Sequence, residues 1–399
     1  MTHPSSFPVV RLRPNKSPQK IRFGFPWVFA DELVLDRRTR NIEAGTIVEL
    51  QTADRQPLGL CAFNAESKII CRMMERDVAK PIDRAWLERR LRHALTLRET
   101  LYYAPFYRLI HAEADGLPGV IIDRFGDVAV LQPNAAWAET MLDDLVAALV
   151  AVTGVKSVLK NGMGRARQLE GLVEETVILT GKIDKPVPVK MNGAVYLADL
   201  LGGQKTGIFY DQRENHAFAS RLVQGLEVLD VFSHVGGFAL SALAAGAKSA
   251  LCVDGSAPAL ALAALGAEKS GFSAQFSTVK GDAFNVMADL ASEGRKFDLV
   301  VCDPPAFAPN RQALEAGLRA YSRVARAGAA LVSPGGYLVL CSCSHAADLA
   351  RFRDACLRGI GKAGRFAALL HTGEAGPDHP AHTALAESTY LKSLFFRLD

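Results

Sequence analysis

The chain has 399 residues, of which 49% are hydrophobic and 22% are charged, with a formal net charge of +4. This length and composition predict a soluble globular protein of two or three domains. No run approaches the roughly 18–20 apolar residues that span a bilayer, and no apolar segment opens the chain, so we expect a cytoplasmic protein without a membrane partner. Seven scattered cysteines without a Cys-x-x-Cys pair predict reduced thiols, no disulfide framework and no metal site.

The N-terminal part is basic and β-rich. Residues 1–40 hold eight Lys or Arg against three acids, an excess that is typical of polyanion binding but also occurs on surfaces that are merely solvated. Short β-rich runs separated by turn-forming pairs predict a small β domain over residues 7–75. Between Phe23 and Phe29, aromatic residues alternate with turn residues beside basic ones. These rings are expected either to stack on unpaired bases or to form the core of a small barrel.

The sequence pattern over residues 78–185 predicts a second small domain. An amphipathic helix over 80–104 places leucines on one face and several arginines, Arg98 among them, on the rest of its surface. A hairpin over 120–131, a helix over about 136–152 and two further strands give a β-β-α-β-β order. No chemistry can be inferred from this domain.

The remaining residues, 186–399, alternate strands and helices in the way that builds a parallel sheet. Strands are predicted near 227–231, 249–253, 275–279, 297–302, 337–341 and 365–370. A last strand over 391–398 follows its predecessor without a helix and can therefore insert antiparallel. The pattern predicts an α/β, doubly wound, seven-stranded Rossmann-like domain of the class I methyltransferase type.

The stretch 226–238 predicts a nucleoside site. An apolar run containing Asp230 breaks at the pair Gly236 and Gly237, where the backbone can approach a ligand closely before a helix begins. The next strand ends in Asp254, an acid placed to accept hydrogen bonds from ribose hydroxyls. No Gly-x-Gly-x-x-Gly run follows a predicted strand, so S-adenosylmethionine, which lacks a phosphate, fits better than a dinucleotide. Asp230 can help to hold its amino group.

Two further strand ends carry reactive side chains. Strand 297–302 ends in Asp303, and the two prolines that follow stiffen the turn and aim the carboxylate out of the carboxyl edge of the sheet. The next strand runs into Cys341 and Cys343, of which Cys343 is nearer that edge. A buried cysteine is commonly inert, but a thiolate that adds to carbon 6 of a pyrimidine makes carbon 5 nucleophilic. We therefore predict Cys343 as the nucleophile, with Asp303 hydrogen-bonding the ring nitrogen.

Several short motifs together point to one family. They are Lys205-Thr206-Gly207, Asp211-Gln212-Arg213, Phe232-Ser233-x-x-Gly236-Gly237-Phe238, Asp303-Pro304-Pro305-x-Phe307, Ser342-Cys343-Ser344, Asp378-His379-Pro380 and Tyr390-Leu391-Lys392. On the basis of these motifs, nearly the whole chain resembles the RlmI-like family of bacterial large-subunit rRNA cytosine-5 methyltransferases. The resemblance implies a PUA-like RNA-binding domain over 1–77, a central domain over 78–185 and an S-adenosylmethionine-dependent methyltransferase domain over 186–399. It implies methyl transfer to carbon 5 of a cytosine in 23S rRNA.

The resemblance also implies which residues form each site. The expected cofactor contacts are Gln212, Asp230, Phe232, Ser233, Gly236, Gly237, Phe238, Asp254, Ser256, Asp282, Ala283 and Asp303, and the expected RNA contacts are Arg22, Trp27, Lys205 and Arg213. Asp282 would accept a hydrogen bond from the adenine amino group, and its position also suits a helix N-cap. Ala306 stands where the family commonly has Lys, and Val235 stands where Thr is more usual.

Other functions fit parts of the same pattern. An rRNA methyltransferase that acts on a purine nitrogen would need no thiolate, and an RNA-binding protein with a degenerate methyltransferase domain would bind no cofactor. A nicotinamide dehydrogenase is the least favoured alternative, because the glycine-rich dinucleotide-binding fingerprint is missing after the predicted strands. We expect rRNA, either 23S rRNA or a large-subunit precursor, as the partner, and we allow for a homodimer.

Overall fold

The computed structural model of the protein describes residues 7–202 and 207–399. The chain divides into two compact units, one formed by 1–184 with 378–386 and the other by 185–377 with 387–399. Within the described ranges, no helix combines the length and the apolar composition that a membrane crossing requires.

The first unit begins with a five-stranded sheet. Its strands are Val9–Arg11 (β1), Trp27–Phe29 (β2), Ile47–Gln51 (β3), Pro57–Phe63 (β4) and Ile69–Glu75 (β5), with the short helices Gln19–Arg22 (α1) and Arg37–Arg40 (α2). The spatial order is β1-β3-β4-β5-β2, in which β3, β4 and β5 form an antiparallel meander. Val28, Val48, Cys61 and Ile70 are among the apolar side chains that fill its core. The small β domain predicted for residues 7–75 is confirmed.

A second sheet follows in the same unit. Its strands are Phe106–His111 (β6), Val120–Phe125 (β7), Val128–Pro133 (β8), Ser157–Gly162 (β9) and Glu175–Thr180 (β10), and its helices are Arg84–Leu101 (α3), Ala136–Thr140 (α4), Leu142–Thr153 (α5) and Arg165–Leu169 (α6). The strands lie in the order β10-β9-β8-β7-β6. The sequence pattern missed β6 because a charged residue, Arg108, interrupts its apolar run. Arg108 lies opposite Asp123 of β7, and the two side chains form a bidentate ion pair at 2.6 and 3.0 Å.

One arginine of α3 does not belong to the predicted basic surface. Arg98 is fully buried, and its guanidinium donates to both carboxylate oxygens of Asp115 at 2.6 and 2.7 Å and to the carbonyl of Asp378 at 2.8 Å. Helical periodicity assigned Arg98 to the solvated surface, and that prediction is wrong. Its acidic partner comes from a turn after β6, which a helical pattern cannot reveal.

The second unit contains a hairpin and a seven-stranded sheet. The hairpin is Val187–Met191 (β11) with Ala194–Ala198 (β12), and the sheet strands are Glu227–Val231 (β13), Ser249–Asp254 (β14), Phe276–Lys280 (β15), Phe297–Cys302 (β16), Val332–Ser342 (β17), Ala367–Gly373 (β18) and Lys392–Leu398 (β19). The helices are Arg213–Ser220 (α7), Gly237–Ala244 (α8), Ala257–Lys269 (α9), Ala283–Ser292 (α10), Leu314–Leu331 (α11) and Leu349–Lys362 (α12). The doubly wound α/β fold predicted from the alternating pattern is confirmed.

The strand order of this sheet fixes where a ligand can bind. The order is β15-β14-β13-β16-β17-β19-β18; β13 to β17 are parallel, and β19 inserts antiparallel between β17 and β18, as predicted. The chain runs outward from β13 to β15 and then returns to the other side of β13 with β16. Such a switch point leaves a crevice at the carboxyl ends of the central strands.

Candidate active site

A cavity of about 500 Å³ lies in the second unit, lined by the loops that follow the central strands. This volume is in the range of small-molecule sites. Its lining contains five carboxylates, from Asp211, Asp230, Asp254, Asp282 and Asp303, and no Lys or Arg among the described residues. Such a lining favours a cationic ligand and disfavours a phosphate-bearing one, because like charges placed together are costly.

The loop after β13 is tightly wound at one wall of this cavity. Phe232 and His234 have φ angles of 64° and 48°, a region that residues with a β-carbon rarely adopt. Gly236, with φ 80°, leads into α8. Gly237 is needed for a different reason: a β-carbon there would stand 2.7 Å from Cε1 of His216. The glycine pair therefore shapes the loop and admits a neighbouring side chain.

Asp230 lies beneath this loop and is 1% exposed. Its Oδ2 accepts a hydrogen bond from the backbone N–H of Ala239 at 3.0 Å, while its Oδ1 has no partner among the described residues. Burial raises the pKa of Asp230 to about 7, and the carboxylates of Asp303 and Asp254 add to that effect. A buried carboxylate with an unused oxygen is suited to a ligand that brings a positive charge.

The ends of β14 and β15 supply the next wall. The Asp254 carboxylate accepts hydrogen bonds from the backbone N–H groups of His234 at 2.9 Å and Ser256 at 2.7 Å. Ser256 caps α9, and Asp282 caps α10 by accepting from the N–H of Asn285 at 3.1 Å. The N-cap role expected for Asp282 is confirmed, and Ala283, which begins α10, lines the cavity beside it.

Asp303 follows β16 and is oriented by a glutamine. Gln212 is 3% exposed, and its Nε2 donates to Oδ2 of Asp303 at 3.0 Å. The Oε1 of Gln212 accepts from Nδ2 of Asn215 at 2.7 Å, so its amide orientation is fixed. Gln212, which was predicted as a cofactor residue, thus contacts the carboxylate of Asp303 in the cavity.

Cys343 is the one cysteine of the seven that is not buried, and it lines the cavity. The serines on either side of it, Ser342 and Ser344, are fully buried and turn inward, where both hydrogen-bond the hydroxyl of Tyr321 at 2.9 and 2.7 Å. This inward anchoring of the serines leaves the cysteine between them facing outward. Cys341 is buried, and burial raises the pKa of its thiol well above the ordinary value, so it remains a protonated thiol.

His216 is a cavity residue that the sequence analysis missed. It is 4% exposed, its ring packs edge-on against Phe238 with centroids 4.4 Å apart, and its Nδ1 has no partner among the described residues. Burial, helped by the charge of Arg213, lowers the pKa of His216 to about 3, so the imidazole is neutral near pH 7. A spacing of four residues from Gln212, at the start of the same helix, was the available signal.

Two of the motifs that carried the family resemblance meet at the cavity. The hydroxyl of Tyr390 donates to Oδ2 of Asp211 at 2.5 Å, so the Asp-Gln-Arg and Tyr-Leu-Lys segments are linked directly. Leu391 lines the cavity next to them. Their separation by 179 residues in the chain hides this contact from any local pattern.

The residues predicted to bind RNA differ in their surroundings. Arg22 is exposed at the end of α1, whereas the Nε1 of Trp27 donates to Glu113 at 2.8 Å. Arg213 is 5% exposed, with its guanidinium 5.5 Å from the ring centre of Tyr210. Lys205 lies outside the described residues.

The donor and acceptor set of the cavity fits S-adenosylmethionine. Asp230 Oδ1 and Ser233 Oγ are buried and without partners among the described residues, and both could accept from an amino group. The further lone pairs of Asp254 suit a ribose diol. Across the described residues, no group of three or more His, Cys, Asp or Glu side chains is arranged to hold a metal ion.

Comparisons with known proteins agree with this geometry. A family model described as a PUA-like domain matches residues 10–76, and one described as S-adenosylmethionine-dependent methyltransferase matches residues 151–397. The ribosomal RNA large subunit methyltransferase I of Vibrio vulnificus (strain CMCP6) is 35% identical over 374 residues, which cover 92% of this chain and 94% of the relative. The ribosomal RNA large subunit methyltransferase I of Aeromonas hydrophila is 35% identical over 378 residues, which cover 93% of this chain and 95% of the relative.

Solved structures share the fold over the whole chain. SMU.776, a methyltransferase crystallised with SAH, superposes with a TM-score of 0.80 at 20% identity and covers 98% of this chain and 99% of that one. A SAM-dependent methyltransferase from Streptococcus mutans superposes with a TM-score of 0.80 at 19% identity and covers 98% of this chain and 100% of that one. A family model thus matches residues 151–397, and relatives are 35% identical along more than nine-tenths of the chain. The chain therefore belongs to the S-adenosylmethionine-dependent methyltransferases, in the family of the ribosomal RNA large subunit methyltransferases I.

Proposed function

We propose that this protein methylates carbon 5 of a cytosine in 23S rRNA through a covalent adduct with Cys343. The observation that carries the proposal is that the one cysteine of seven that is not buried lines the same cavity as Asp303. The names of the Vibrio and Aeromonas relatives support a large-subunit rRNA substrate. The PUA-like domain supports RNA binding.

In this proposal, Cys343 provides nucleophilic catalysis. Its thiolate adds to carbon 6 of the cytosine, and the bond that forms moves electron density to carbon 5. For this step the carboxyl of Asp303, held by Gln212 at 3.0 Å, is protonated; it donates a hydrogen bond to the ring nitrogen and so stabilises the negative charge that develops there. After carbon 5 has gained the methyl group, its proton passes to water, and expulsion of the thiolate restores the aromatic ring.

The cofactor residues act by binding and orientation. S-adenosylmethionine, when bound, supplies the electrophilic methyl group. Asp230, with its unused buried oxygen, is suited to hold the amino group, and Asp254 the ribose hydroxyls. Asp282 is an exposed residue of the cavity lining, and its carboxylate can accept from the adenine amino group.

RNA contacts are proposed for Arg22, Trp27, Lys205 and Arg213, within a division of the chain into domains over 1–77, 78–185 and 186–399. A cytosine that is paired or stacked in rRNA would have to leave its stack to enter the cavity. No observation on the described residues supports the homodimer that we allowed for.

The experiment is methylation of 23S rRNA by wild-type protein and by Cys343→Ala, with Cys341→Ala as the matched control. We expect Cys343→Ala to lose at least 10³-fold in turnover while its affinity for S-adenosylhomocysteine, measured by calorimetry, stays within about twofold. Cys341→Ala should retain activity because that thiol is buried and does not line the cavity. Mass spectrometry of digested nucleosides identifies the product as 5-methylcytidine.

Full activity in Cys343→Ala would contradict the cysteine mechanism and favour methylation of a purine nitrogen. Absence of S-adenosylhomocysteine binding by the wild-type protein would instead favour an RNA-binding protein with a degenerate pocket.

A further inference from the structure

Lys392 is a buried cation next to the Ser-Cys-Ser segment. It is 7% exposed and begins β19, which pairs antiparallel with β17 so that Lys392 lies directly opposite Ser342, the neighbour of Cys343. Its Nζ donates to the carbonyls of Ser344 and Ala347, each at 2.7 Å. The ammonium is therefore fixed against the loop that immediately follows Cys343.

This charge lacks the partner that a buried lysine usually has. Among the described residues, Lys392 makes no ion pair with a carboxylate, and Asp348, whose charge acts on it, is largely exposed; burying an ammonium without a partner is costly. The two carbonyls satisfy hydrogen bonds but carry no net charge. An anion that forms nearby during the reaction would explain why the charge is retained.

Cys343 directly precedes Ser344, whose carbonyl holds the ammonium, and its thiol can supply that anion. Burial lowers the pKa of Lys392, while the negative charges of Cys343 and Asp348 act to raise it. Electrostatic coupling between two titrating groups is reciprocal, so an ammonium stabilised by a thiolate stabilises that thiolate by the same free energy.

Among the described residues, the other ionisable groups near Cys343 are a phenol, a carboxyl and an imidazole. Tyr321 of α11 interacts with it and is held neutral, since burial raises the pKa of that phenol. Asp303 faces the same cavity and is acidic. His345, two residues along, packs its ring against Tyr390 with centroids 5.4 Å apart.

We propose that Lys392 is a positioning residue that stabilises the thiolate of Cys343 and fixes the loop that carries it. Its importance for catalysis rests on the proposed role of Cys343 as nucleophile, but the coupling between the two side chains does not. Thiols beside a lysine ionise at lower pH than free cysteine, which makes the thiolate available near neutrality.

The coupling can be measured without methyl transfer. The rate of alkylation by iodoacetamide is followed between pH 5 and 10, and because the other six cysteines are buried, only Cys343 should react in the folded protein. The background is measured on Cys343→Ser. For the wild type, we expect a midpoint clearly below about 8.5, the value of an ordinary cysteine.

Removal of the charge should shift this midpoint. We expect Lys392→Met to raise it by about one pH unit, with alkylation at pH 7 roughly tenfold slower, and Lys392→Arg to restore part of the wild-type value. A role confined to holding the loop would leave the midpoint unchanged. Alkylation stoichiometry of one per chain verifies that each variant is folded.

A wild-type midpoint at or above about 8.5, or an unchanged midpoint in a folded Lys392→Met protein, would overturn the proposal. If Lys392→Met exposes further thiols, the wild-type midpoint alone decides. Methyl transfer by Cys343→Ala tests the proposed function separately, since it can fail while the thiol remains coupled to Lys392.

Discussion

At the scale of single residues, the cavity shows that identical side chains have different properties in different surroundings. Asp282 is exposed and caps a helix, whereas Asp230 is buried with one oxygen unused. Burial of Asp230 raises its pKa to about 7, because a charge in a medium that solvates it poorly is unfavourable. Binding of a ligand that carries an amino group should therefore depend on the ionisation of this one residue.

We predict that the affinity for S-adenosylhomocysteine falls as the pH is lowered through 7. With a pKa of about 7, the ionised fraction of Asp230 decreases roughly tenfold between pH 8 and pH 6, and the apparent Kd rises in proportion. Calorimetry at a series of pH values measures the effect. Asp230→Asn should bind weakly with little dependence on pH, and a wild-type Kd that is constant from pH 6 to 8 would contradict the prediction.

Asp230 has the opposite effect on the stability of the fold: a rise in pH favours ligand binding but lowers the free energy of unfolding. An unfolded Asp ionises near 3.9, but Asp230 in the folded protein keeps its proton until about pH 7. Since the folded state then binds more protons, the contribution of Asp230 lowers the free energy of unfolding as the pH rises from about 4 to about 7. Urea denaturation at each pH gives the free energy of unfolding of the wild-type protein and of Asp230→Asn. The difference between the two values isolates the contribution of Asp230.

At the scale of elements, two helices meet closely at the cavity. His216 of α7 packs against Phe238 of α8, and the contact is allowed because the first residue of α8, Gly237, has no side chain. The glycine was predicted for close approach of a ligand, whereas in the structure its immediate neighbour is the imidazole. The shape of the cavity therefore depends on how α7 and α8 pack.

We predict that Gly237→Ala weakens cofactor binding and destabilises the second unit by about 1–3 kcal/mol, because the new methyl group would overlap the His216 ring. Gly361→Ala in α12 is the matched control: no atom lies within 4 Å of its β-carbon position, so it should be neutral or stabilising by about 0.5–1 kcal/mol. Urea denaturation and calorimetry check both variants. Equal effects of the two substitutions would show that the His216 contact is unimportant.

At the scale of the whole molecule, the first unit is assembled from segments that are far apart in the chain. Residues 378–386, from the loop between β18 and β19, belong to it. The carboxylate of Asp378 accepts from the backbone N–H of Arg108 at 3.0 Å and pairs with the ring of His379 at 2.9 Å. Arg98 joins this segment to Asp115 within the buried interior.

We predict that Arg98→Met destabilises the first unit by about 3–5 kcal/mol, because it leaves the carboxylate of Asp115 buried without its cation. Replacement of both partners, Arg98→Met with Asp115→Leu, should recover much of that loss, since no unpaired charge remains. Urea denaturation of both variants tests this. Replacement of the exposed Arg92 by Met is the control and should change the free energy of unfolding by less than about 0.5 kcal/mol.

Local patterns in the sequence determined much of this protein. The alternation of apolar runs and helices predicted the doubly wound sheet, because burial on both faces and right-handed crossovers restrict the topology that such a pattern can form. The same runs contain Asp230 or end next to Asp254, Asp303 and Cys343, so the carboxyl edge of the sheet could be predicted as the candidate site. The choice of Cys343 over Cys341 also agrees with their observed burial.

The tertiary structure alone decided which side chains meet. His216 enters the cavity because Gly237 leaves room for it, and Lys392 reaches the segment after Cys343 because β19 inserts antiparallel beside β17. Arg98 is buried because its acidic partner arrives from another element. Burial and charge pairing depend on contacts between residues distant in the chain, whereas periodicity reports only on neighbours along it.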